Sequence, residues 1–594
     1  MSTKPATRNT ASRKTVIKKP TTAPGTLNRR DSAPKVPHPH SAHPTNRLKL
    51  KIANLFKKSI CGDIFGSSMS GGNSMLGMMY QSRTKTKGLF DHSDMDRLNE
   101  DDVDEDELDG SQKLDVGDSS GSDDDSINAL NPRQQLARTI NNWSEHAAND
   151  NHIMREGGVH ALIALAAFDD PGIKKCVATA LYNLSTRTVN RQELEKIGGA
   201  SGVVTIAMNA RSWKLARLCA MTLCNMSIAN DGEAGMGKAG AVIALVVLIG
   251  VRQHRLLPVC VQALYNLTCV NQHFSGMERI MKALLTLPVV QEFDAFLPQA
   301  KALVNCSRYA WMRDRLIEDG VLAMYAGLVN SLPSRDDPTE IVFYVVTTLR
   351  SLSDNKSCLT ELISKGTVEL LQCILPFCDP DAHLLLIKTV RNLLKIVHSF
   401  PAVIYGAAVN IVADIGIVSD YYVTLQYAAS CIYTFTLDNL RNDEKLSLRV
   451  IRVLPKLLKS KDSLTRYFAV PACGNLFFSN ICEDIQQLEI LVLEFVEAGP
   501  AITDLLAIEE LCVAFAKLSQ ERVYMGILLA QRKLPIIMQL LLGIVNEHKY
   551  NHIIQESCCV AICRMALRMD ASALQSLRGE LSNLLFRLCA YPAY

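Results

Sequence analysis

The chain has 594 residues, of which 48% are hydrophobic, 21% charged and only 6% aromatic. That composition excludes a wholly disordered chain, a collagen and a coiled coil. The net charge of +3 hides an asymmetry: residues 1–60 carry fourteen Lys/Arg against Asp31 alone, residues 91–125 carry sixteen Asp/Glu against Arg97 and Lys113, and residues 131–594 are close to neutral.

Residues 1–130 are poor in large apolar groups and rich in Pro, Ser, Gly and charge. Such a segment buries too little surface to offset chain entropy, so a disordered tail is expected, basic over 1–60 and acidic over 91–125. No apolar h-region near the start suggests a signal peptide, and Pro5, Pro20 and Pro24 argue against an amphipathic transit helix. Over Arg47–Lys58, helical spacing would put Leu48, Ile52, Leu55 and Phe56 on one face, which reads either as a helix docking on a membrane or an acidic partner, or as a basic linker. Ser120 and Ser122 precede acids in the acidic run and are the expected phosphorylation sites. Opposite charge suggests that the acidic run folds back on a basic part of the following domain, or pairs with residues 1–60.

After Asn131 the sequence is periodic. Segments such as Ala180-Leu-Tyr-Asn-Leu-Ser185, Thr222-Leu-Cys-Asn-Met-Ser227 and Ala263-Leu-Tyr-Asn-Leu-Thr268 recur, with weaker copies to the C-terminus. Their fourth positions are residues 142, 183, 225, 266, 305, 351, 392, 434, 475, 517 and 564, with steps of 41, 42, 41, 39, 46, 41, 42, 41, 42 and 47. Eleven copies at a nearly constant step predict a solenoid. Asp170-Pro171, Asp337-Pro338 and Asp379-Pro380 each lie 12 or 13 residues before a marker. Asp as N-cap with Pro at the first helical position starts a helix, so each marker is expected near the end of a helix of three to four turns. Small-residue turns at Gly157, Gly198, Gly240, Gly320 and Gly366 precede a second apolar helix. The long step of 46 places extra residues around Leu332–Asp337, between helices, where an insertion leaves the core intact.

A unit of this length with a Gly turn, a short helix and a long helix ending in Asn-Leu-Ser resembles the armadillo repeat, over residues 131–594, with some HEAT-like irregularity near residues 277–305. The resemblance implies an all-α, right-handed superhelical solenoid of about eleven repeats, with a concave groove lined by the long third helix. In relatives such as beta-catenin and importin-alpha, a ladder of the marker Asn holds an extended peptide. An amide offers both a donor and an acceptor, and an extended backbone presents both in repeating order. The matching residues here are Asn142, Asn183, Asn225, Asn266 and Asn305 without a break, then Asn392 and Asn475. Ser351, Thr434, Lys517 and Arg564 interrupt the row. The same Asn residues would also bond to neighbouring repeats. Importin-alpha places Trp one turn before the ladder Asn. Here that position is never Trp, so an import adaptor of that type is not expected. Lys301, Arg350, Lys388 and Arg391 instead suggest a basic middle of the groove, suited to acidic or phosphorylated segments, unless they are solvated surface charge.

No chemistry is expected. Gly235–Gly240 matches GxGxxG, but no strand precedes it and it coincides with a repeat turn. His38, His40 and His43 lie in a Pro-rich tract. The cysteines, mostly inside apolar runs, have no zinc-site spacing and read as small buried hydrophobes kept reduced. No enzyme activity, metal or cofactor is expected. The expected function is a cytoplasmic scaffold or adaptor binding extended protein segments. The alternative is a cytoskeletal or ciliary component, in the cilium or with a nuclear location, whose residues 1–60 contact microtubules or another anionic surface. A specific nucleic-acid partner ranks last, since the basic segment lacks interleaved aromatics.

Overall fold

A computed structural model describes residues 131–228, 236, 240–251, 255–269, 276–287, 293–332, 337–479 and 484–590. The chain divides into units 1–119 and 120–594, and every described residue belongs to the second. The tail 1–130, with Ser120 and Ser122, lies outside the described residues.

The described residues form helices and turns, with no strand among them. Eleven long helices, each packed on its predecessor, make one row: Pro132–Ser144, Pro171–Thr186, Trp213–Met226, Leu257–Cys269, Phe293–Ser307, Thr339–Ser353, Pro380–Leu393, Tyr422–Leu437, Ser463–Ser479, Leu505–Leu518 and His552–Ala566. Every one of the eleven marker residues falls within the last five residues of its helix. The starts are set by caps. Asp170 accepts from the Ile173 amide at 2.8 Å and Asp379 from that of Ala382 at 2.7 Å, each with Pro as the first helical residue. Asp337 differs slightly: the helix starts at Thr339, whose amide donates to Asp337 at 3.0 Å. The residue after the marker is buried in every long helix but the first, where Trp143 is 53% exposed. Leu184, Met226, Leu267, Cys306, Leu352, Leu393, Phe435, Leu518 and Met565 are all buried. Cys219, Cys224 and Cys431 are buried too, and burial pushes each thiol up to about 12, as expected of small core residues that do not ionise.

A second row runs beside the first. Gly158–Ala166 packs on Gly199–Ala207, which packs on Ala241–Ile249, and farther on Val321–Ser331, Thr367–Ile374, Ala402–Val418, Glu444–Leu458 and Ile485–Ala498 follow one another. In five repeats a left-handed glycine introduces the second helix: Gly157, Gly198, Gly240, Gly320 and Gly366, with φ between 82° and 97°. At Gly366 the carbonyl accepts the Leu370 amide while φ of 82° turns the incoming chain, a conformation a side chain resists. No such glycine occurs after residue 366 among the described residues. There the unit changes. Ala402–Val418, Glu444–Leu458 and Ile485–Ala498 are single helices of 14 to 17 residues, and short 3₁₀ turns at Leu394–Ser399 and Asn439–Asn442 stand where a first helix would lie. Two-helix units therefore occur over residues 402–498, a region in which no irregularity is expected from the sequence. The last repeat regains three helices, and Arg532, with φ of 52°, takes the left-handed position.

Two close approaches fix helix spacing. A Cβ on Gly416 would lie 2.6 Å from Val453 Cγ1. One on Gly474, in the long-helix row, would lie 2.9 Å from Ala514 Cβ and 3.3 Å from its Cα. Among the described residues no single helix is long and apolar enough to cross a membrane.

Candidate peptide-binding ladder

The marker asparagines occupy one continuous edge of the long-helix row, and their amides share one contact. Asn183 Nδ2 donates to Ser144 Oγ at 3.0 Å, Asn225 to Ser185 at 3.2 Å, Asn266 to Ser227 at 2.9 Å, and Asn305 to Thr268 Oγ1 at 2.9 Å. Farther on, Asn392 donates to Ser353 Oγ at 3.1 Å and Asn475 to Thr436 Oγ1 at 3.3 Å. Each acceptor stands two residues after the preceding marker. The hydroxyl spends its own proton one turn back, as Ser185 does on the Tyr182 carbonyl at 2.8 Å and Thr268 on that of Tyr265 at 2.6 Å. The Asn-Leu-Ser motif is thus a relay: amide to hydroxyl to carbonyl, one repeat to the previous one. Asn142 opens the row; no described helix precedes it and its side chain is exposed.

The interruptions still reach back, with other chemistry. Lys517 Nζ lies 3.4 Å from Asn475 Oδ1, and Arg564 donates to the Ala516 carbonyl at 3.0 Å. Ser351 and Thr434 turn inward and donate to carbonyls of their own helices.

What remains of the amides decides what a ligand could meet. Asn266 Oδ1 accepts from Gln262 at 2.9 Å and Asn392 Oδ1 from Lys395 at 2.8 Å. Among the described residues nothing donates to Oδ1 of Asn183 or Asn225, and both side chains are half-exposed. Asn305 and Asn392 are buried. The first stretch of the row therefore presents acceptors outward while its donors hold the stack.

The relay gives a rank order. Asn225→Ala should cost about 1 kcal/mol, the net worth of one hydrogen bond. Asn225→Asp should cost more, about 2 kcal/mol, because its lone pairs would face a hydroxyl whose proton is already committed. Urea unfolding of the two variants checks this, and Asp equal to wild type would break the relay assignment.

The basic residues divide. Lys301 is compensated: its Nζ lies 3.1 Å from Glu340 and sits over the Tyr344 ring at 5.2 Å. Arg350, Lys388 and Arg391 come together on neighbouring helices. Arg350 pairs with Asp354, Lys388 lies over the Tyr427 ring at 5.3 Å, and Arg391 Nε donates to Ser430 Oγ at 2.8 Å. Lys395 and Asp354 join them: Asp354 Oδ1 lies 3.1 Å from Asn392 Nδ2. Both follow the end of a long helix, at positions that the repeated hexamer does not mark. Burial, reinforced by Arg350, pulls the Lys388 ammonium down to about 8. Lys395 is lowered as well, by burial and by Arg391 and Arg350. Burial and the neighbouring guanidinium groups therefore disfavour the charged forms of both lysines near Asn392. Burial pushes the Glu510 carboxyl up to about 7, against the opposing pull of Lys517.

No family model matches the sequence, and no curated relative does. Solved structures match at low identity. A chain from a structure on the phosphorylation switch that controls the interaction between cadherin and beta-catenin is 13% identical, with 80% of this chain and 96% of that one covered and a TM-score of 0.49. An engineered protein is 17% identical, with 74% and 97% covered and a TM-score of 0.39. A designed armadillo repeat protein is 16% identical, with 38% and 97% covered and a TM-score of 0.32. All three scores lie below 0.5, so the repeat type rests on this chain's own glycine turns, long-helix row and Asn relay. The fold is an armadillo-type solenoid.

Among the described residues no group of three or more His, Cys, Asp or Glu could hold a metal ion.

Proposed function

We propose that the protein is a non-enzymatic scaffold that binds extended protein segments along the Asn row, with acidic or phosphorylated side chains preferred where the row passes Arg350, Lys388, Arg391 and Lys395. The observation that carries this reading is the combination of half-exposed Asn183 and Asn225, whose Oδ1 atoms face no donor among the described residues, with a cluster of cations around Asn392. An extended backbone has an amide to offer each open acceptor. A carboxylate or phosphate restores the charge balance that burial of the cations disturbs.

The test is a displayed library of 16-residue random segments selected on the full chain. Selected segments should be enriched in acids, and their affinity should fall about tenfold or more, some 1.4 kcal/mol, in Lys388→Met or in the triple change Asn183→Ala, Asn225→Ala, Asn266→Ala. Circular dichroism must first show equal helicity. Segments that bind every variant equally well would move the binding surface off the row and end this reading.

A further inference from the structure

The cation cluster already contains an anion. Asp354 is the residue just after the helix Thr339–Ser353, and its carboxylate pairs with Arg350, accepts from Asn392 Nδ2 at 3.1 Å and acts on both Lys388 and Lys395. Among the described residues it is the one acid whose charge acts on those two lysines. Arg350, Lys356 and Arg391 supply the other charges. Its side chain is 45% exposed, whereas that of Arg350 is 19% exposed, so the carboxylate sits at the mouth with the guanidinium beneath it, while Lys388 is half-buried and Lys395 exposed.

Asp354 makes an i,i+4 pair with Arg350 of its own helix, yet two features leave that pair poorly matched to the helix end. A carboxylate at a helix C-terminus faces the negative end of the helix dipole. The pairing is also incomplete: Arg350 engages Asp354 through Nη1, while its buried Nε has no hydrogen-bond partner among the described residues. A guanidinium fork used at one nitrogen is a seat for a planar or tetrahedral oxyanion that is only partly filled.

We propose that Asp354 is a built-in competitor: it holds the anion seat formed by Arg350, Asn392, Lys388 and Lys395, so that a ligand with a doubly charged phosphorylated side chain displaces it about tenfold more readily than one with a single carboxylate. The inference rests on the groove-binding reading above and adds its selectivity. Exchange of one carboxylate for another leaves the charge of the seat unchanged, and the incoming group gains little. A phosphorylated side chain brings about −1.5 to −2 charges and three acceptor oxygens, enough to engage several of the cations at once. Asp354, once displaced, swings into solvent from its exposed position.

Two fluorescein-labelled twelve-residue peptides of repeating Glu-Ser-Gly, identical except for one central phosphoserine, test this by fluorescence polarisation with the full chain. Wild type should bind the phosphorylated probe about tenfold more tightly than its twin. Asp354→Asn keeps the shape and can still accept from Asn392. It should tighten the unphosphorylated probe and shrink the ratio to within about threefold, with Asp354→Ser behaving alike. Both variants should be no less stable than wild type, since each removes a carboxylate from a helix C-terminus. A ratio unchanged in both variants, with binding that Lys388→Met still weakens, overturns the competitor alone. Equal affinity for both probes in wild type overturns it as well. Failure of both probes to bind, or binding indifferent to Lys388→Met, overturns the groove reading together with it.

Discussion

Replacing Gly474 by Val should destabilise the ninth and tenth long helices by about 3 kcal/mol, the upper range for overpacking a tight contact. Gly474 lies on Ser463–Ser479 beside Asn475, and the next helix crosses it at Ala514, which is fully buried. The first carbon of any side chain there would meet Ala514 Cβ at 2.9 Å and its Cα at 3.3 Å. Neither atom belongs to a flexible side chain, so relief must come from moving one helix off the other. In a solenoid each repeat contacts only its neighbours, and the damage should stay local. Hydrogen exchange should show protection lost in Ser463–Ser479 and Leu505–Leu518 and kept in the helices before residue 400. Ala514→Gly should recover part of the loss, giving a coupling energy of about 1 kcal/mol or more in a double-mutant cycle. Unaltered exchange in Gly474→Val would mean that these helices are not held this close.

The repeat architecture is legible in the sequence because two local signals are strict. One is the Asp-Pro start, which fixes a helix start to within one residue in all three copies. The other is the left-handed glycine. Where it is present the chain breaks into a first and second helix, and after Gly366 it disappears and the two-helix units follow. The two-helix stretch was readable from that loss, but attention to the marker hexamer hides it, since the hexamer lies on the long helix and is indifferent to what precedes it.

The relay was legible too, in a pattern two residues downstream. Hydroxyls stand at Ser144, Ser185, Ser227, Thr268, Ser353 and Thr436, and each of the next markers is Asn. Where that position is Leu394 or Phe477, the next marker is Thr434 or Lys517. An Asn without a hydroxyl to receive it would lose its stacking bond, so the pair travels together. Ser307 and Ser519 show that the converse fails, because Ser351 and Arg564 follow them. The cation cluster was half legible. Arg350, Lys388 and Arg391 stand at fixed offsets from markers, whereas Asp354 and Lys395 lie beyond the ends of long helices, Lys395 in the 3₁₀ turn Leu394–Ser399, where periodicity does not specify the course of the chain. Lys301 illustrates the reverse error: its offset is right, but Glu340, placed by the following helix, compensates it.

Binding of an acidic segment should weaken as pH rises from 7 to 9, by about tenfold if Lys388 alone is responsible. The groups that act on its ammonium are Arg350 and Asp354 from the preceding long helix, and the Tyr427 ring from the following one. Burial and Arg350 disfavour its charged form, Asp354 favours it, and the balance leaves it titrating at about 8 instead of near 10.5. A bound anion favours the charged form and returns the group toward its ordinary range, so binding takes up a proton wherever the free protein has lost one. The sign for stability is opposite. Between about 8 and 10.5 the unfolded chain holds the proton and the folded chain does not, so this group makes folding more favourable as pH rises through that window. Affinity and stability should therefore diverge with pH, affinity falling while the contribution of this site to stability rises. Lys388→Met should abolish the pH dependence of affinity over 7 to 9 and leave the solenoid at least as stable at pH 7, because it removes a buried charge that its neighbours compensate poorly. Isothermal titration with the phosphoserine peptide at pH 7, 8 and 9, in two buffers of different ionisation enthalpy, reads the proton uptake directly. A flat profile in wild type, or a sloping one that persists in Lys388→Met, would show that this lysine does not face the ligand.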